Sequence, residues 1–162
     1  MCIRDRRSWV SRGHRIIVPV YNYMGELTSL RAWSWTDPDI KRKAMSGKAA
    51  GLIMADAMGV ELLRAGEWPS WSTCNEVVFC EGEPDFLTMA CRTPILSSPK
   101  RAVFGVVLTT FSSGSFVPIA RRIPAKTRVT IMTHADKAGD KYATDLASAL
   151  TYKCSVERKV FA

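Results

Sequence analysis

Long apolar runs are missing from this chain. No stretch of its 162 residues approaches the roughly eighteen consecutive apolar positions of a membrane-spanning helix, so no membrane partner is expected. The opening residues, MCIRDRRSW, are basic and lack the apolar centre of a secretory signal, which leaves the cytoplasm as the expected location. Paired cysteine spacings are missing too. Cys2, Cys74, Cys80, Cys91 and Cys154 are scattered with no CxxC, a pattern that argues against a zinc knuckle or a disulfide framework and for reduced thiols. No GxGxxG and no Walker lysine is found, which counts against a dinucleotide-binding or P-loop protein. Acidic residues are the scarcer charge, 15 against 23 lysines and arginines, for a formal net charge of +8.

That basic excess suits polyanionic partners, chiefly nucleic acid, through phosphate neutralisation; a merely solubilising surface is the other reading. Its distribution is uneven. Arg4, Arg6, Arg7, Arg12 and Arg15 crowd the start, and Lys41, Arg42, Lys43 and Lys48 crowd one central segment. Glu76, Glu81, Glu83 and Asp85 gather elsewhere. Basic segments beside an acidic pocket suit an enzyme that grips phosphates and holds a divalent cation. The composition, 47% hydrophobic and 23% charged, is that of a globular domain, and the length suits one core with a small lobe attached.

Residues 1–14 are set aside as a disordered or artefactual segment. MCIRDR resembles the translated adapter tail that opens many metagenomic reading frames, and the chain is taken as a fragment of a longer protein. From 15 to 35, RIIVPVY, a turn around Asn22 and Gly25, and LTSLRAWSW predict a β-hairpin. Residues 36–50 hold Pro38, Gly47 and four of the lysines and arginines, and predict an exposed loop. GLIMA and a short helix closed by Gly66 complete a first unit over 15–72. From 73 to 162 strands and helices alternate: EVVFC, PDFLTMACR, AVFGVVL, SFVPIARRI, RVTIMT, GDKYATDLASALT and CSVERKV. Tyr142, Leu146 and Leu150 lie four apart on one helical stripe. The alternation implies right-handed crossovers and a mainly parallel sheet flanked by helices, an α/β fold with a small N-terminal β-rich lobe.

In such sheets the chemistry gathers where strands end and helices begin. Glu81 stands at the end of VVFC, before Gly82, with Asp85 one helical turn on. His134 and Asp136 follow RVTIM, with Gly139 at the next helix start. If the two strands are neighbours, Glu81 and Asp136 converge on one crevice, a plausible Mg²⁺ site of hard oxygens. Competing readings stand beside this. Asp136 is a favoured helix cap, and Asp85 suits a helix dipole without catalytic duty. Glu81 has the least structural excuse.

These residues carry a resemblance. VVFCEGEPDFLT resembles the first motif of the TOPRIM domain, a strand ending in Glu-Gly with an Asp three residues after the Gly. VTIMTHADKAGDKYA is similar to its second motif, a strand ending in Asp-x-Asp before Ala-Gly. RIIVPVYNYMGELTSLRAW resembles the small N-terminal lobe of DnaG-type primase cores, especially phage or plasmid primase-like proteins. The resemblance implies metal-dependent nucleotidyl transfer making RNA primers on a DNA template, from nucleoside triphosphates, with Mg²⁺ or Mn²⁺ and a replicative helicase as a further partner. By it Glu81 is metal ligand or general base, and Asp136 and Asp85 join it at the metal. Arg31, Lys43, Lys48 and Lys137 are the candidate contacts to nucleotide or nucleic acid. His134 departs from the pattern, standing where the first Asp of Asp-x-Asp is expected; imidazole suits Mn²⁺ better than Mg²⁺. The alternatives are a TOPRIM nuclease and a nucleic-acid-binding module without catalysis. Trp33, Trp35, Trp68 and Trp71 either stack on bases or are packed between lobes.

Overall fold

A computed structural model describes residues 9–34, 43–44, 51–68, 74–91, 101–106, 113–150 and 153–161. Strands β1 (Ile16–Tyr21) and β2 (Leu27–Trp33) form the expected antiparallel hairpin. Asn22 closes its turn: the side-chain oxygen accepts the N–H groups of Met24 at 2.9 Å and Glu26 at 3.1 Å. Gly25, at φ +78°, fits against the backbone of α1, where an added Cβ would meet the Arg64 nitrogen at 2.8 Å.

The segment expected as a loop contributes β3 (Lys43–Ala44), which pairs with β2; the rest of 35–50 lies outside the described residues. GLIMA supplies β4 (Ile53–Ala55). Helix α1 (Ala57–Ala65) starts where the Asp56 side chain accepts the Gly59 N–H at 2.8 Å, and it ends at Gly66, φ +72°. The folded body also reaches upstream of residue 15, since His14 is 2% exposed behind a 3₁₀ turn at Val10–Arg12.

The remaining elements are β5 (Glu76–Cys80), α2 (Glu83–Cys91), β6 (Arg101–Val106), α3 (Ser113–Ala120), β7 (Arg128–His134), α4 (Lys137–Leu150) and β8 (Ser155–Phe161). Helix α3 contains Pro118 in its interior, and α4 begins two residues before Gly139. The eight strands among the described residues form one sheet in the order β3-β2-β1-β4-β6-β5-β7-β8. Strands β5 to β8 are mutually parallel, as expected, whereas β1 to β4 join by antiparallel pairings, so the whole sheet is mixed.

Alternating side chains along each strand divide the core between two faces. Val77, Phe79, Ala102, Phe104, Val129 and Ile131 meet α1, α3 and α4 on one face. Val78, Cys80, Val103 and Met132 meet Phe86 of α2 on the other, together with Val18, Val20 and Trp33 of the hairpin. Burial of each large apolar side chain contributes roughly 1.5–3 kcal/mol. Gly105 lets α2 approach β6: a Cβ there would lie 2.5 Å from that of Phe86.

The helix faces follow from handedness. From β5 the chain crosses to β6 on one side of it; from β6 and then β7 it crosses the opposite way, to β7 and β8. Reversing direction while keeping right-handed crossovers puts α2 on the face opposite α3 and α4. Adjacent strands β5 and β7 therefore send their chains apart, and a crevice opens beyond their carboxyl ends.

Candidate functional site

Glu81 is the first residue past β5. Its N–H still donates to the Met132 carbonyl at 2.9 Å, so the ladder with β7 holds its backbone at the crevice lip. Its side chain crosses the gap: Oε2 accepts the His134 N–H at 2.8 Å. The two strand ends singled out in the sequence are thus neighbours, bound to each other through Glu81 and His134.

Asp85 joins them from the first turn of α2. Its Oδ2 lies 3.9 Å from His134 Nε2, too far for a hydrogen bond but close enough for attraction when the imidazole is protonated. The same oxygen is buried and finds no hydrogen-bond partner among the described residues. Burial pushes the Asp85 carboxyl above the usual carboxylate value, with His134 and the Gly82 N–H pulling the other way.

Asp136 adopts the capping role: its Oδ1 accepts the Gly139 N–H at 2.7 Å. It lies exposed two residues beyond His134, on the same loop. Gly139 is pressed onto the preceding loop so tightly that a Cβ would collide with the His134 carbonyl oxygen. Lys137 is exposed at the first position of α4.

Arg31 is placed inward. It is 2% exposed, its Nε donates to Glu83 Oε1 at 3.1 Å, and its guanidinium lies 5.9 Å from the Trp33 ring centre. In this position it ties the hairpin to the Glu81–Gly82–Glu83 turn and presents no surface to a template. For Lys43 the structure gives backbone pairing in β3; Lys48, Trp35 and Trp71 lie outside the described residues. Trp33 is 6% exposed and Trp68 packs against the core. Cys80 is fully buried with its thiol pushed strongly up, and burial raises that of Cys74 to about 11; neither is a nucleophile.

Two neighbours of this site are not singled out by the sequence. Glu83, 4% exposed, was visible only as one more acidic residue of the cluster; its partner is 52 positions away. Arg158 of β8 bonds Thr133, His134 and Asp140, and nothing in CSVERKV marked it.

As a cation site the donors are incomplete. Among the described residues no group of three or more histidine, cysteine, aspartate or glutamate side chains is arranged to hold a metal ion. The chemistry of the set still suits one. Asp85 presents an unpartnered buried oxygen, Glu81 has one oxygen occupied by a neutral donor, and His134 offers a nitrogen. Catalytic Mg²⁺ is commonly held by one or two carboxylates plus substrate phosphates, so a closed protein cage is not required.

No protein-family model matches this chain, and no curated protein matches its sequence. A solved structure does match its fold: the DnaG primase catalytic domain bound to single-stranded DNA, with a TM-score of 0.58 and 11% identity. The alignment covers 93% of this chain and 45% of that one, so the chain spans less than half the length of the protein it resembles. At that identity the likeness shows a distantly shared α/β fold. No helix among the described residues is long and apolar enough to cross a membrane.

Proposed function

We propose that this chain is a TOPRIM-type core of a primase-like nucleotidyltransferase, joining ribonucleotides into primers on a DNA template. The observation that carries the reading is the placement of Glu81 across the β5–β7 crevice from His134, at the point where the sheet connections diverge. The fold likeness to a primase catalytic domain bound to single-stranded DNA supports the substrate class. On this reading residues 15–72 supply a small lobe, 73–162 the catalytic unit, and a replicative helicase is a natural partner.

Glu81, Asp85 and His134, with Asp136 from the same loop, are the residues that would hold Mn²⁺ or Mg²⁺. Such an ion, when bound, would lower the pKa of an attacking 3′-hydroxyl and offset triphosphate charge. The chain's own contributions are separable from it. The His134 N–H orients the Glu81 carboxylate and leaves its second oxygen for a cation or for the hydroxyl proton. Lys137, exposed at the N-terminus of α4, offers charge to phosphate beside the helix dipole. The Arg31–Glu83 pair holds the catalytic turn against the hairpin.

A second reading, a nucleic-acid-binding module without catalysis, draws on two features: His134 at a position suited to a carboxylate, and the Asp136 side chain engaged in capping. A TOPRIM nuclease would use the same groups on an existing phosphodiester. Incubation with single-stranded DNA and labelled ribonucleotides, in Mg²⁺ and in Mn²⁺, separates the three. Ribonucleotide incorporation supports the primase reading; cleavage alone or binding alone overturns it.

A further inference from the structure

Arg158 sits on the edge strand β8, outside every motif, yet its guanidinium spends its donors on the site. Nε donates to Thr133 Oγ1 at 2.9 Å, Nη2 to the His134 carbonyl oxygen at 3.3 Å, and Nη1 to Asp140 Oδ1 of α4 at 2.7 Å. Thr133 is wholly buried, so its hydroxyl is a fixed point, while the Arg158 side chain is 30% exposed. A planar fork with five donors can reach three acceptors at once; a lysine has a single point of charge.

His134 is therefore gripped from both sides. Its N–H goes to Glu81 and its C=O to Arg158. Gly139 permits α4 to close on that same carbonyl, leaving little slack between the end of β7 and the helix. We infer that Arg158 is a positioning residue: acting through the His134 peptide, it sets the Glu81 carboxylate and the β7–α4 loop that carries Asp136. Among the described residues that loop is otherwise held by the Asp136 cap, the Glu81 bond and the pairing of His134 with Phe161 of β8. The positional claim stands on hydrogen bonds; its consequence for catalysis rests on the function proposed above.

Amide hydrogen exchange followed by NMR tests the claim without requiring activity. In Arg158→Ala, the His134 N–H should lose at least tenfold protection, while amides of the central strands, such as those of Val78 and Phe104, keep wild-type values. Arg158→Lys should not restore it, because the ammonium cannot hold Thr133, His134 and Asp140 together. Should the alanine variant fail to fold, Thr133→Val removes one acceptor from the same fork and should shift the His134 amide in the same direction by a smaller factor. Unchanged His134 protection in the folded variants, or an equal loss at every amide, would overturn the inference. If the wild-type chain makes primers, Arg158→Ala should lower kcat at least tenfold with the nucleotide KM little changed; the opposite split would count against positioning. A wild type without primer synthesis would sink the proposed function while the exchange result still decided the role of Arg158.

Discussion

Glu81 Oε2 accepts the backbone N–H of His134 at 2.8 Å, bridging the carboxyl ends of two adjacent parallel strands whose chains then leave in opposite directions. A carboxylate at the end of an apolar strand costs solvation unless something receives it. Here a neutral amide donates to one oxygen. The residue is thereby oriented, and among the described residues no cation forms a salt bridge with it, which suits a base or a cation ligand.

The Arg31–Glu83 pair should be a strong determinant of stability when broken from one side. Both side chains are nearly inaccessible, at 2% and 4% exposure. Arg31→Met removes the guanidinium that pairs with the buried Glu83 carboxylate and should cost about 3–5 kcal/mol in urea unfolding. Combining it with Glu83→Gln should recover much of that loss, since no uncompensated charge remains. Additive losses in the double-mutant cycle would mean that the two side chains do not act as a pair.

Asp85 predicts a pH-dependent defect. Its carboxyl is raised from 3.8 by burial, so the folded state binds the proton more tightly than the unfolded state does. Stability from this group is therefore greatest below the unfolded value and declines as pH rises through the raised folded value. Asp85→Asn removes the titration. The variant should exceed the wild type in urea midpoint at pH 7, and the gap should close as the pH falls towards 3. A gap of equal size at both ends would contradict the burial argument.

His134→Asp should alter cation preference. The substitution puts a carboxylate within reach of Asp85 and replaces nitrogen by hard oxygen. Without divalent cation the variant should melt below the wild type through like-charge repulsion. Mg²⁺ at a hundred times the variant's dissociation constant should then stabilise the variant by about 2.7 kcal/mol, and the wild type by less. Equal Mg²⁺ response in the two proteins would remove His134 from the site.

The elements that place this site were legible because their signals are local. Val77 to Cys80 with Gly82, and Tyr142, Leu146 and Leu150, fix β5 and α4 through runs and spacings a few residues long. The adjacency of β5 and β7 followed only conditionally, since pairing order is a property of the whole sheet. Lys43 shows the limit: its segment has the composition of a loop, and its strand pairing with Ala32 exists because β2 offers an open edge. Arg31 is a candidate template or nucleotide contact only through the resemblance of its hairpin to a primase small lobe; its burial depends on Glu83, 52 residues distant, which no local spacing announces. Arg158 was silent for the same reason: its three acceptors lie between 18 and 25 positions away, and no spacing rule reaches them.

The central claim is that the Glu81 carboxylate acts in nucleotidyl transfer, and the paired assay of wild type and Glu81→Gln tests it most directly. Glutamine keeps an oxygen for the His134 N–H, so circular dichroism and melting should match the wild type. With single-stranded DNA, ribonucleotides and Mn²⁺, the wild type should make primers, and the variant should be slower by roughly 10²–10⁴-fold, the usual worth of a positioned acid–base group. Primer synthesis within tenfold of wild type by a properly folded Glu81→Gln protein, or none by the wild type in either metal, would contradict the account.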